Sequence, residues 1–354
     1  MRGKGNPEME KIKAGIIGAT GYAGAELARI LLQHPAVTLT AVSSVSYEGK
    51  TLAEVYPSFQ SICEIPLEKA ETLIPKCDVV FASLPHGLSE VYAEQCMDKG
   101  AVFIDLGADF RLHDAEAYEA WYHKSYTKPE LHAAAVYALP ELYREDIKGA
   151  DLIGNPGCYP TSIALGLAPV LKRGFVLTSS IVIDSKSGVT GAGASLTQNT
   201  HFPNTNEAFS AYKAGVHRHT PEIEQTLSEI CGNSVKVVFV PHLLPLNRGI
   251  ESTIYVKMAQ GADMEKIRMA YEEDYAGEMF VRVKAAGTYA NLRDVKYSNF
   301  CDISLHSDQR TDMLIISSCI DNMVKGAAGQ AVQNMNIRFG LQEDMGLRLL
   351  PPAF

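Results

Sequence analysis

The sequence has little to offer several common protein classes. It has no apolar run long enough to cross a bilayer, which excludes a helical membrane span. No segment repeats and no low-complexity tract breaks the chain, which excludes a repeat array or a fibre. Lysine and arginine never cluster, and the formal net charge is -9, so a general nucleic-acid binder is excluded. The seven cysteines include no Cys-x-x-Cys pair, which argues against both a zinc site and a disulfide framework. Reduced thiols in a cytoplasmic setting are expected instead. Met1 to Glu10 is short, polar and charged with no apolar stretch after it, and reads as a loose tail rather than a signal peptide. What remains is an ordinary globular composition, 46% hydrophobic and 21% charged, over 354 residues. That length is large for one core and predicts two domains.

The first chemical signal is a strand over Lys13 to Ile17, the turn Gly18-Ala19-Thr20-Gly21-Tyr22-Ala23-Gly24, a helix to Gln33, and a second strand over Val37 to Val42. Such a unit lets the backbone approach a pyrophosphate at a helix N-terminus, with Gly18, Thr20, Gly21, Tyr22 and Gly24 nearest to it. The spacing is Gly-x-x-Gly-x-x-Gly rather than the usual Gly-x-Gly-x-x-Gly. The second strand runs out into Ser43-Ser44-Val45-Ser46 without the acid that commonly holds a ribose 2′-hydroxyl, and Lys50 follows. This favours NADP over NAD, against the alternative that the serines form an ordinary polar loop. A further strand ends in Ser83-Leu84-Pro85-His86-Gly87, which places Leu84 and Pro85 along the cofactor. Arg111 lies beyond another strand end, where it offers a planar fork to a carboxylate or phosphate, or pairs with an acid such as Asp109.

The chain is organised around Gly154-Asn155-Pro156-Gly157-Cys158-Tyr159-Pro160-Thr161. A turn of Asn, Pro and Gly presents one cysteine, and a long apolar helix opens at Thr161. Unpaired N–H groups and the helix dipole favour thiolate there. The competing reading is a small buried apolar residue. After a strand at Ile181 to Asp184, Ser187 and Gly188 begin a Gly/Ser/Thr loop suited to an anion. His217-Arg218-His219-Thr220-Pro221-Glu222 is a second centre, with Thr220 expected to cap the helix that follows. His217 or His219 suits proton exchange, and their spacing does not separate them. Arg218 and Arg248 are candidate oxyanion holders. Alternating strands at 252–258 and 312–320, with a helix at Met264 to Tyr275 between them, predict an α+β second domain with a mixed or antiparallel sheet. Asp321 to Ala331 begins a small-residue helix carrying Asn322, expected to return to the first domain beside the nicotinamide.

Together these motifs resemble the N-acetyl-gamma-glutamyl-phosphate reductase family, within the aspartate-semialdehyde dehydrogenase-like superfamily, from Ile16 to Gly340. The one departure from the family pattern is Ser162 directly after the threonine. The resemblance implies an α/β fold: a Rossmann-type doubly wound parallel sheet over 11–157, an α+β catalytic and oligomerisation domain over 158–321, and a C-terminal helix over 322–354 that completes the first domain. It implies Cys158 as nucleophile, NADP as cofactor, a small acyl-phosphate substrate and a homo-oligomer, dimer or tetramer. A histidine, His217 first with His219 close behind, would hold the thiolate as an ion pair. The alternatives are an aminoadipyl- or aspartyl-type acyl phosphate, or a non-catalytic dinucleotide sensor.

Overall fold

The computed structural model describes residues 10–354; the expected tail up to Met9 lies outside the described residues. Seven strands form the first sheet: β1 (Ile12–Ile17), β2 (Val37–Ser43), β3 (Leu67–Glu68), β4 (Val79–Ala82), β5 (Val102–Asp105), β6 (Val136–Tyr137) and β7 (Leu152–Gly154). Their spatial order is β3-β2-β1-β4-β5-β7-β6, and every pairing is parallel. The central strands are buried at every position, as Val79–Ala82 and Val102–Asp105 show, because helices cover both faces. The order reverses at β1, so β1 and β4 flank the crevice where such sheets bind ligands.

Helix α1 (Tyr22–Leu31) follows β1 through the glycine turn and buries Leu27, Ala28, Ile30 and Leu31. Helix α2 (Glu90–Lys99) follows β4. Helix α3 (Cys158–Lys172) follows β7 and is buried along nearly its whole length. It begins at the cysteine itself, three residues before the expected start, because Pro160 is tolerated in a first turn where N–H groups have no intrahelical partner. Pro169 lies inside the same helix and leaves the Leu165 carbonyl without its usual donor. The hydroxyl of Tyr275 donates to that carbonyl, and Tyr271 donates to Gly166.

The second sheet is mixed, in the order β12-β13-β14-β11-β8-β10-β9. Its strands are β8 (Val182–Ser187), β9 (Ser210–Ala211), β10 (Val238–Leu243), β11 (Ile250–Lys257), β12 (Val281–Val283), β13 (Cys301–Asp308) and β14 (Met313–Ile320). Helix α3 packs on β11 and β14, with α4 (Thr220–Cys231) and α5 (Met264–Tyr275) beside it. Burial alternates along β8, with Ile183 and Ser185 inward and Val182 39% exposed on the open face. Strands β12 and β13 are not among the expected strands, although Cys301 to His306 alternates apolar and polar residues; β13 is buried on both faces up to Leu305.

After β14 the chain makes a π-turn over Val324–Ala328 and enters α6 (Gly329–Arg338). Val324, Ala328, Ala331, Val332 and Met335 join the core of the first sheet. Lys325 is fully buried and donates to Glu141 and Gln333, which fastens the turn to the first domain.

Candidate active site

The carboxyl end of β7 feeds the turn at residues 155–157, and Cys158 opens α3. Four groups hold this turn. Asn155 accepts from Asn334 Nδ2 at 3.0 Å and donates to the Ala327 carbonyl at 3.2 Å. Gln330 donates to Thr161, whose hydroxyl donates to the Gly157 carbonyl at 2.9 Å. Arg111 donates through Nε to the Asn155 carbonyl at 2.8 Å. Glu222, fully buried, accepts from the Gly157 N–H at 2.7 Å and from Tyr137 Oη at 3.0 Å. A Cβ at position 157 would lie 2.9 Å from Arg111 Nη1, 2.9 Å from His219 Nε2 and 3.0 Å from Glu222 Oε2. Glycine is required there because three functional side chains converge on it. From the other side, a Cβ on Gly326 of the π-turn would lie 2.7 Å from that of Cys158.

Cys158 opens onto a pocket of about 790 Å³ that His217, Arg218, His219, Lys213 and Ser187 also line. Both histidines reach it. Burial pushes the Cys158 thiol up to about 11; Arg111 and the backbone N–H of Tyr159 pull it back, and Glu222 adds to the rise. The helix N-terminus does not outweigh that loss of water. Burial, with Arg218 and Lys213 nearby, takes His217 down to about 3. His219 is held well below its ordinary range by burial and then by His217 and the cations. Burial thus works against the expected thiolate–imidazolium pair, since it raises the thiol and lowers both imidazoles. The two rings also differ. Nδ1 of His217 accepts the His219 N–H at 3.1 Å, which puts its proton on Nε2. His219 turns Nε2 toward the cysteine turn and leaves Nδ1 buried with no partner among the described residues.

The arginines divide. Arg218 lines the pocket, with Nη1 3.3 Å from His86 Nδ1. Arg111, expected to hold substrate, is buried and bonded to the carbonyls of Asn155 and Leu106, with Glu222 at 3.4 Å. It fixes the turn because buried backbone oxygens and a buried carboxylate claim its fork. Arg248, also expected at the substrate, pairs with Glu26 at 2.6 Å and Asp321 at 3.6 Å and lies over the Tyr297 ring. It lines a separate crevice of about 540 Å³ with Tyr22 and Arg29, away from Cys158. Thr220 does not cap α4 either: His219 occupies the cap position, and the Thr220 hydroxyl is without a partner among the described residues.

A dinucleotide fits the glycine turn. Helix α1 has no side-chain cap and no acid in its first turn, so its first N–H groups are available to an anion. Gly18 takes φ +81°, and the N–H groups of Gly18 and Ala19 bond the Ser43 carbonyl. Ser44 Oγ lies 2.7 Å from Thr20 Oγ1, which joins the serine segment to the turn. Leu84 and Pro85 stand at the carboxyl end of β4. Ser187 and Gly188 line the pocket, and Asn322 bonds Gly249 N–H at 2.7 Å and Thr190 Oγ1 at 3.0 Å, shaping the loop instead of facing open space.

Glu222, Tyr137, Gln330 and Asn334 were not legible as site residues. Glu222 reads as an ordinary first-turn acid of a helix, and its proximity to Gly157 is a long-range fact.

A parallel dinucleotide-type sheet, a cysteine at a domain junction and paired histidines define a semialdehyde-dehydrogenase-type oxidoreductase. The model for the semialdehyde dehydrogenase NAD binding domain matches residues 13–150, and that for the dimerisation domain matches 158–322. Among solved structures, aspartate semialdehyde dehydrogenase II from Vibrio cholerae superposes with TM-score 0.72 at 18% identity, covering 94% of this chain and 99% of that one. The Candida albicans aspartate semialdehyde dehydrogenase with NADP gives 0.70 at 15%, covering 93% and 98%. Within that class the chain belongs to the N-acetyl-gamma-glutamyl-phosphate reductase family. It is 54% identical to the Clostridium beijerinckii N-acetyl-gamma-glutamyl-phosphate reductase, over 97% of this chain and 100% of the relative. It is 55% identical to that of Brachyspira hyodysenteriae, again over 97% and 100%.

Proposed function

We propose that this enzyme reduces N-acetyl-L-glutamyl 5-phosphate to the 5-semialdehyde with NADPH, releasing phosphate, as a step of arginine biosynthesis. The observation that carries the reading is Cys158 at the head of α3, opening on one pocket with His217, Arg218 and His219. Sγ adds to the acyl carbon, the carbon–oxygen bond to phosphate breaks, and inorganic phosphate leaves. His219 Nε2 takes the thiol proton as the carbon–sulfur bond forms. Arg218 and Lys213 neutralise the departing phosphate. When bound, the dinucleotide supplies the hydride that reduces the acyl group on sulfur. His219 then protonates the oxygen anion, and collapse breaks the carbon–sulfur bond, frees the aldehyde and returns the proton to sulfur.

The glycine turn with Thr20, Tyr22, Ser43 and Ser44 would hold the phosphates and ribose. The absence of an acid after β2, with Lys50 beyond, supports NADP. The half-exposed face of the second sheet, with Val182 and Val238 39% and 56% exposed, supports a homo-oligomer built on that face. The test is phosphate-dependent oxidation of N-acetylglutamate semialdehyde. We expect turnover with NADP well above that with NAD, and loss of roughly 10⁴-fold or more in Cys158→Ala. Activity retained in that variant would remove the thioester route, and turnover only with NAD would remove the cofactor choice. Aspartyl phosphate preferred as substrate would select the alternative reading.

A further inference from the structure

The segment from Asp105 to Arg111 has no part in the chemistry above, yet it touches both halves of the site. Facing the Gly87–Ser89 turn is Asp109, 1% exposed. Its Oδ1 accepts from the Gly87 N–H at 2.6 Å and from Tyr118 Oη at 2.8 Å. Its Oδ2 accepts from the N–H groups of Leu88 at 3.0 Å and Ser89 at 2.9 Å. These amides lead into the N-terminus of α2, which an adjacent serine ordinarily caps. Here Ser89 makes no such cap; its hydroxyl donates to Asp105 Oδ1 at 2.9 Å. The turn that leads into α2 is thus held by a carboxylate from a different strand-end loop. Facing the Cys158 turn, Arg111 bonds the Asn155 carbonyl, and the Asn155 N–H bonds the Asp105 carbonyl at 2.9 Å.

We infer that residues 105–111 form a strut that sets the Leu84–Ser89 loop at a fixed position relative to the Cys158 turn, with Asp109 as the positioning residue on the cofactor side. The inference rests on the reading that Leu84 and Pro85 lie along the dinucleotide. A charge shared over four donors is needed because three successive amides converge on one carboxylate, and an amide side chain would turn an N–H against one of them.

The experiment measures NADPH binding by fluorescence and iodoacetamide reactivity of Cys158 against pH, in the wild type, Asp109→Asn and Tyr118→Phe. We expect Asp109→Asn to raise the NADPH dissociation constant about tenfold or more, the size set by losing charge-assisted hydrogen bonds. The Michaelis constant for the acyl phosphate and the alkylation profile of Cys158 should stay within about twofold. Tyr118→Phe removes one donor, keeps the amides paired, and should weaken NADPH about two- to threefold; it decides the matter if Asp109→Asn does not fold. Unchanged NADPH binding in the folded variants overturns the strut. So does a loss that falls equally on both substrates with a shifted thiol profile, since that is general loosening. A wild type that fails to bind NADPH overturns the cofactor reading instead.

Discussion

Glu222 carries a charge to a place without water, and its two oxygens divide the work of the site. One holds the Gly157 N–H and the other faces Arg111. Glu222→Gln keeps an acceptor for the amide but leaves Arg111 without its countercharge. Removing one partner of a buried pair is strongly destabilising, and urea unfolding should report a loss of about 3 kcal/mol. The same change removes a carboxylate that pushes the Cys158 thiol upward, so the alkylation profile should move to lower pH even as turnover falls. A profile moved to higher pH would contradict the assignment of charges. Cys158, His217 and His219 stand out as candidates because a Pro-Gly-Cys turn and a His-Arg-His cluster are local patterns, and the three line one pocket. Arg111 and Arg248 show the opposite case: each meets a buried carboxylate from far along the chain, which a guanidinium read in sequence does not reveal.

Among the elements, the π-turn at Val324–Ala328 bears most directly on the sulfur. The wide turn brings Gly326 against Cys158, and the buried Lys325–Glu141 pair, at 2.5 Å, holds it there. An alanine at 326 would place its Cβ 2.7 Å from the Cβ of Cys158 and 3.2 Å from its Cα, neither of which can swing away. Gly326→Ala should therefore cost roughly 10²-fold in kcat and about 1–3 kcal/mol in stability, measured by steady-state kinetics and thermal unfolding. Unaltered kcat would mean that the turn does not position the thiol. The longer parallel strands β1, β2, β4 and β5 were readable from their apolar content, and α5 from its pattern, whereas β3 and β6, two residues each, are too short to show. The start of α3 was not: the apolar run begins at Thr161, whereas the helix begins at Cys158 and takes Pro160 into its first turn. Strand β12 is hidden by its three-residue length; β13 does alternate over Cys301 to His306, and what the alternation does not show is that its polar face is buried too, where Asp302 is tolerated by its pair with Arg282 at 2.5 Å.

At the scale of the whole molecule, the C-terminal segment joins the two domains. Gln330 and Asn334 reach the cysteine turn while Val332 and Met335 pack in the first core, so the site exists only when the chain's end is docked. The buried imidazoles also give the fold a pH dependence. His217 is held near 3 when folded and returns to about 6.5 when unfolded, so the unfolded chain binds more protons below that value. Its contribution is fully present above about pH 6.5 and is lost progressively as pH falls toward 3. Between pH 7 and 5 this amounts to about 2 kcal/mol from His217 alone. His217→Gln should flatten that slope in urea titrations at the two pH values; parallel slopes would contradict the buried neutral ring.

The central claim is that the acyl group passes through Cys158. Intact-mass spectrometry of enzyme mixed with N-acetylglutamyl phosphate and quenched in acid, with no dinucleotide present, tests it most directly. The account predicts a mass gain of one N-acetylglutamyl group, mapped to the peptide carrying Cys158 and absent from Cys158→Ala. Full turnover on adding NADPH, with no acylated cysteine at any quench time, would contradict it.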